Sequence, residues 1–206
     1  MSLNLSETKS KKSFPRIEEG TFAARVVRII DMGKQVATDF KTGEPKTYDD
    51  GNVVIQNRVW IDFEFPTETI EIDGVAKPRW QGKEYTVSSH EKAAIMALMK
   101  AADPSGKLTM KWRNVSALLG LPLMVSIGST SSNKPKITNV ASLMKGMTVP
   151  DLANPTLFFD LDGDDVATFE SLPEWLQKRI KDGVDFDSTN FFKKCNSFED
   201  MEESPY

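Results

Sequence analysis

Val53, Ile55, Val59, Ile61, Phe63 and Phe65 alternate along the chain with Gln56, Arg58, Trp60, Asp62 and Glu64. A period of two predicts a β-strand with one face on a core and the other wet. Arg58 and Trp60 fall on the wet side. The run from Thr21 to Ile30, rich in β-branched residues after Gly20, predicts an earlier strand that ends near Asp31-Met32-Gly33. A third is expected around Arg79 to Val87, after a turn at Asp73-Gly74, and it interleaves Trp80 and Tyr85 with Arg79 and Lys83. Ile95, Leu98 and Met99, at i, i+3 and i+4, predict a helix from His90 to about Ala102, capped by Ser88 or Ser89 and closed by Pro104. A helical turn at 114–119 ends at Gly120; strands then follow over Leu121–Ile127 and Lys136–Ser142.

The expected order is three strands, a helix and two strands, which is the order of a five-stranded OB-fold barrel. The fold class expected is therefore mainly β with minor α, the helix lying between strands 3 and 4. In that fold the connections Met32–Asn52 and Gly128–Pro135 would flank an oligonucleotide groove. The domain organisation expected is a basic, disordered arm over 1–18, the barrel over 19–150, a packed extension of hairpin and short helix over 151–190, and an acidic, flexible tail over 191–206.

Charge sharpens this division. Residues 1–150 hold 21 basic and 16 acidic side chains, a net of +5, whereas 151–206 hold 5 and 14, a net of −9. A basic body with an acidic end is a statement about partners, although an ordinary solvated surface is the competing reading. One histidine, His90, and one cysteine, Cys195, leave no material for an internal disulfide, a thiolate zinc cluster or a His-pair metal site. No apolar run approaches a membrane span, and the polar start Met1-Ser2-Leu3-Asn4 lacks a secretory stretch, so an intracellular protein is expected.

Catalytic motifs fail on order or spacing. Ser89 to Lys92 matches S-x-x-K and Lys41-Thr42-Gly43 matches K-T-G, but K-T-G comes first here, the reverse of the serine-enzyme order, and the S-D-N element is missing. Asp160 to Asp165 imitates a calcium loop with its glycine at the wrong position, and a hairpin turn between Leu157-Phe158-Phe159 and Val166 to Phe169 is the simpler expectation. No phosphate-cradling glycine loop is present. A non-catalytic protein with no cofactor and no metal is expected. The candidates for chemistry are aromatic and basic together: Arg58, Trp60, Lys77, Arg79, Trp80, Lys83, Tyr85, Lys111, Trp112 and Arg113. Aromatic rings stack on bases irrespective of sequence while cations follow phosphates, which is the composition of a single-strand groove; burial in the core is the rival role for each ring.

Gly20 to Val27, Asp31 to Gln35, Tyr85 to Ser88, Leu118 to Pro122 and Phe169 to Ile180, in this order and spacing, resemble the single-stranded DNA-binding proteins of tailed bacteriophages, of the T7 type. The resemblance implies an OB-fold with an acidic tail and sequence-independent binding of single-stranded DNA during phage replication and recombination, in the cytoplasm of an infected bacterium. The tail's own residues, four carboxylates before Pro205-Tyr206, point to contact with replication proteins such as a polymerase, helicase or primase through Glu202, Glu203, Pro205 and Tyr206, a solubilising tail with no target being the competing reading. A structural or assembly protein of the virion is the alternative that shares the lack of catalytic residues.

Overall fold

The computed structural model describes residues 16–39, 42–108, 114–163 and 165–193. It is mainly β: β1 (Gly20–Val36), β2 (Ile55–Ile72), β3 (Val75–Thr86), β4 (Pro122–Ser129), β5 (Pro135–Ala141) and β6 (Leu157–Phe159), with helices α1 (Ala94–Ala102), α2 (Val166–Ser171) and α3 (Glu174–Lys181). Five strands form an antiparallel path in the order β3-β2-β1-β4-β5, and β6 adds to β1 in parallel. The sheet is open and has six strands, where a partly open barrel of five was expected.

The strands follow from the sequence with extended ends. Asp73 (φ 52°) and Gly74 (φ 79°) both adopt left-handed backbone, the geometry that matches a two-residue turn to the twist of its flanking strands. That turn carries β2 and β3 past the ends that alternation alone indicates, pairing Ile72 with Val75 and Ile70 with Lys77. β1 is bulged near Val27, and beyond the bulge its apolar residues turn to both sides, Ile29 into one core and Ile30 and Met32 into another. The polar connection after β1 forms bridges of its own, Thr38 with Pro45 and Thr47 with Val53.

The first core lies between the sheet and α1. Val59, Ile61, Phe63 and Phe65 of β2 meet Ala24, Val26, Leu123, Val125 and Ile137 from the other strands and Ile95, Leu98 and Met99 from α1. At roughly 1.5–3 kcal/mol for each large side chain buried, this contact outweighs the weak intrinsic preference of a nine-residue helix. The helix is shorter than expected: it begins at Ala94 behind an uncapped Ala93, while the Ser88 hydroxyl accepts the His90 N–H in a preceding turn.

The second core covers the opposite face of β1 and gathers Phe159, Phe169, Phe186 and Phe191 with Leu172, Leu176 and Ile180. Here the sequence reading is corrected. Leu157–Phe159 and Val166–Ser171 do not form a hairpin: the first is strand β6 against β1 and the second is α2, whose Asp165 cap accepts the Thr168 N–H at 2.9 Å. Arg25 on β1 secures the preceding segment by donating to the carbonyls of Val149 and Pro150, and it also bonds the Gly120 carbonyl. Among the described residues no helix is long and apolar enough to cross a membrane.

Candidate nucleic-acid interface

Antiparallel register assigns each β3 residue a face. Arg79, Gln81, Lys83 and Tyr85 stand opposite Phe65, Phe63, Ile61 and Val59, hence on the side of the first core. Trp80, Gly82, Glu84 and Thr86 stand opposite Glu64, Asp62, Trp60 and Arg58 on the other side. This second side is the one the sequence marks as wet, and the structure corrects that expectation. Asp62 is 5% and Glu64 0% exposed, because the chain around 153–154 and helix α3 lie over them. Alternation reports polarity; it does not report that polar groups can be covered once they are bonded.

The bonding is nearly complete. Glu64 accepts the Ala153 N–H at 2.7 Å, the Asn154 amide at 2.6 Å and the Trp80 indole N–H at 3.1 Å. Asp62 accepts Arg28 Nε at 2.6 Å and the Trp60 indole N–H at 2.8 Å. The Arg28 guanidinium lies 5.5 Å from the centre of the Trp80 ring. Trp60 is half-buried, resting on the bare backbone of Gly82, where a Cβ would overlap both its six-membered ring and Asp62 Oδ1. Arg58 pairs with Glu84 at 3.5 Å, and Arg179 of α3 reaches the same carboxylate at 3.7 Å.

Three of the expected binding residues meet in one groove of about 610 Å³. Lys77, Arg79 and Trp80 line it from β3, Ile70 and Ile72 from β2, and Pro135 from the start of β5; Ala153 and Asn154 form its far wall. Arg16 joins them and donates to the Asn133 carbonyl in the β4–β5 turn. The lining contains three cations and no carboxylate side chain. Trp80 is 38% exposed: its indole N–H is bonded to Glu64 and the Arg28 guanidinium lies over its ring, so only part of the ring is open, and that part carries no unsatisfied donor. Of the two connections expected to flank a groove, the β4–β5 connection contributes Pro135 to this lining and the connection after β1 contributes none.

The other candidates lie elsewhere. Tyr85 is 2% exposed in the first core, and burial raises its phenol far above the ordinary range, so its ring is not offered to a base. Its hydroxyl has no hydrogen-bond partner among the described residues. Lys83 spans the gap between β3 and β5, donating to the Ile137 carbonyl at 3.3 Å, and burial lowers its pKa. Lys111, Trp112 and Arg113, and the tail residues Glu202, Glu203, Pro205 and Tyr206, lie outside the described residues.

Sequence reasoning missed Arg16, Ile17, Ile70, Ile72 and Asn154 as groove residues, because only the folded chain joins positions 16, 70–81, 135 and 153–154. It also missed Trp175 on α3, which packs edge-on against Trp60 with centroids 4.9 Å apart. Among the described residues no group of His, Cys, Asp and Glu side chains is arranged to hold a metal. No family model matches the chain, and neither a curated protein nor a solved structure shows detectable similarity to it.

Proposed function

We propose that this chain binds single-stranded DNA without sequence preference and without catalysis, in the service of phage DNA replication and recombination. The observation that carries the reading is the groove that the partly exposed Trp80 lines together with Arg16, Lys77 and Arg79, with no carboxylate in the lining. A ring that stacks on any base, beside cations that track the backbone, distinguishes unpaired strands from duplex because only unpaired bases expose their faces. The apolar floor of Ile17, Ile70, Ile72 and Pro78 suits bases and sugars.

Two further observations support the reading. The order β3-β2-β1-β4-β5 is that of an OB-fold barrel opened between β3 and β5, and Lys83 reaches from one edge to the other. We therefore read the sheet as an OB-fold whose β3–β5 seam has no ladder. The resemblance to tailed-phage single-strand binders rests on separate residues and leads to the same activity. In this reading the acidic C-terminus recruits replication proteins. Titration with oligodeoxythymidylate and with duplex of equal length tests the proposal: salt-sensitive binding of the single strand, weakened five- to a hundred-fold by Trp80→Ala, is expected. Equal affinity for duplex overturns it.

A further inference from the structure

The polar face of β2 and β3 carries a row of three indoles that continues from the groove onto α3. Trp80 and Gly82 are two residues apart on the same face of β3, and the Trp60 ring lies on Gly82. Trp60 is thus enclosed between the strand backbone and the ring of Trp175, which meets it at 75°. Trp175 itself is 52% exposed. The Trp60 ring acts as a floor and the Trp175 ring as the open surface.

The charges on α3 are mixed but cationic on balance, Glu174 at its start being outnumbered by Lys178, Arg179 and Lys181 in its last turn. Trp175, Lys178 and Arg179 are spaced i, i+3 and i+4 on α3 and so share one side of the helix. The opposite side is fixed by Leu176 and Ile180 in the second core, and the Arg179 carbonyl is tied to β1 by the Gln35 amide at 3.0 Å. The ring is therefore held on a rigid element. The carboxylates beneath the row are already engaged: Asp62 by Arg28, Glu84 by Arg58 and Arg179, and Glu64 by three N–H donors. Lys178 is exposed.

From this arrangement we infer a second single-strand contact on α3, in which Trp175 stacks on a base and Lys178 meets an adjoining phosphate. The inference rests on the proposed groove, which it extends from Trp80 across Gly82 to the helix. It also transfers to Trp175 the stacking role that the sequence suggests for Trp60.

Two oligodeoxythymidylates separate the groove from its extension, one of about 4 nucleotides that fills the groove and one of about 16 that reaches α3. Trp175→Ala is expected to weaken the longer strand about tenfold and leave the shorter unchanged. Lys178→Glu, a fully surface change that does not depend on the indole for folding, is expected to weaken the longer strand and flatten its salt dependence. Unchanged affinity of the longer strand in both variants, with the shorter still bound in a salt-sensitive way, overturns the extension alone. Failure of the unaltered chain to bind either strand overturns the groove and the extension together.

Discussion

Glu64 on β2 and Trp80 on β3 are direct cross-strand partners, and the buried carboxylate accepts the indole N–H at 3.1 Å while holding the Ala153 N–H and Asn154 amide with its remaining capacity. One side chain thus fixes both walls of the groove, the aromatic wall from β3 and the wall from the segment at 153–154.

Glu64→Gln places an amide N–H₂ among three donors that need acceptors. A buried donor left facing donors costs about 1–3 kcal/mol, so a fall in melting temperature is expected, together with weaker binding of single strands because Trp80 loses its tether. Thermal unfolding and a DNA titration of the same variant measure the two effects; an unchanged melting temperature would contradict the role given to Glu64.

Asp62→Ala leaves the Arg28 guanidinium largely buried without its 2.6 Å partner. Removing one member of such a pair typically costs about 3–5 kcal/mol, far above the value of an exposed ion pair. Chemical denaturation with an unchanged slope and a lowered midpoint is the expected result.

Gly82→Ala drives a methyl group into the Trp60 ring and the Asp62 carboxylate. Overpacking of this kind costs about 1–3 kcal/mol, and displacement of Trp60 moves Trp175 with it. Intrinsic tryptophan fluorescence should shift in the variant, and affinity for long single strands should fall.

Tyr85→Phe removes a hydroxyl that is buried without a hydrogen-bond partner among the described residues. Stability is expected to be unchanged or higher by up to about 1 kcal/mol, with DNA affinity intact. Loss of DNA affinity would return Tyr85 to the binding surface.

Burial raises the pKa of Asp31 above its ordinary value of 3.8, against the opposing Gly33 N–H bond and with repulsion from Asp160 and Asp162 adding to the rise. For an acid whose folded pKa is raised, the native state holds its proton more tightly than the unfolded state. Stability contributed by this group is therefore lost as pH rises from 3.8 through the folded value. The stability difference between Asp31→Asn and the unaltered chain should shift in favour of the variant as pH rises through that window and level off beyond it. A difference that is flat with pH would contradict the assignment.

The first core and most of the strands were legible in the sequence because their signal is local: the alternation in β2, the Asp73-Gly74 turn and the i, i+3, i+4 spacing in α1 depend only on neighbouring residues. The segment from 157 to 171 was misread because Leu157-Phe158-Phe159 and the aspartates after it carry hairpin chemistry, whereas its partner strand is β1, more than a hundred residues earlier. Lys77, Arg79 and Trp80 were legible as groove residues from the mixture of aromatic and basic residues on one strand. Which of Trp80 and Tyr85 faces the core was not, since alternation separates the two rings but only strand register says which side is buried, and neither was the covering of Asp62 and Glu64 by residues from far along the chain.

The most direct test of the central claim is a fluorescence titration with oligodeoxythymidylate over a series of salt concentrations. Single-strand counterion release gives a log–log slope of about −0.7 for each neutralised phosphate, so Arg16, Lys77 and Arg79 together are expected to contribute about −2. Neutralising Lys77 should flatten the slope by about 0.7, and tryptophan emission should be quenched as Trp80 stacks. A salt-independent affinity, or binding of duplex as tight as that of the single strand, would contradict the account.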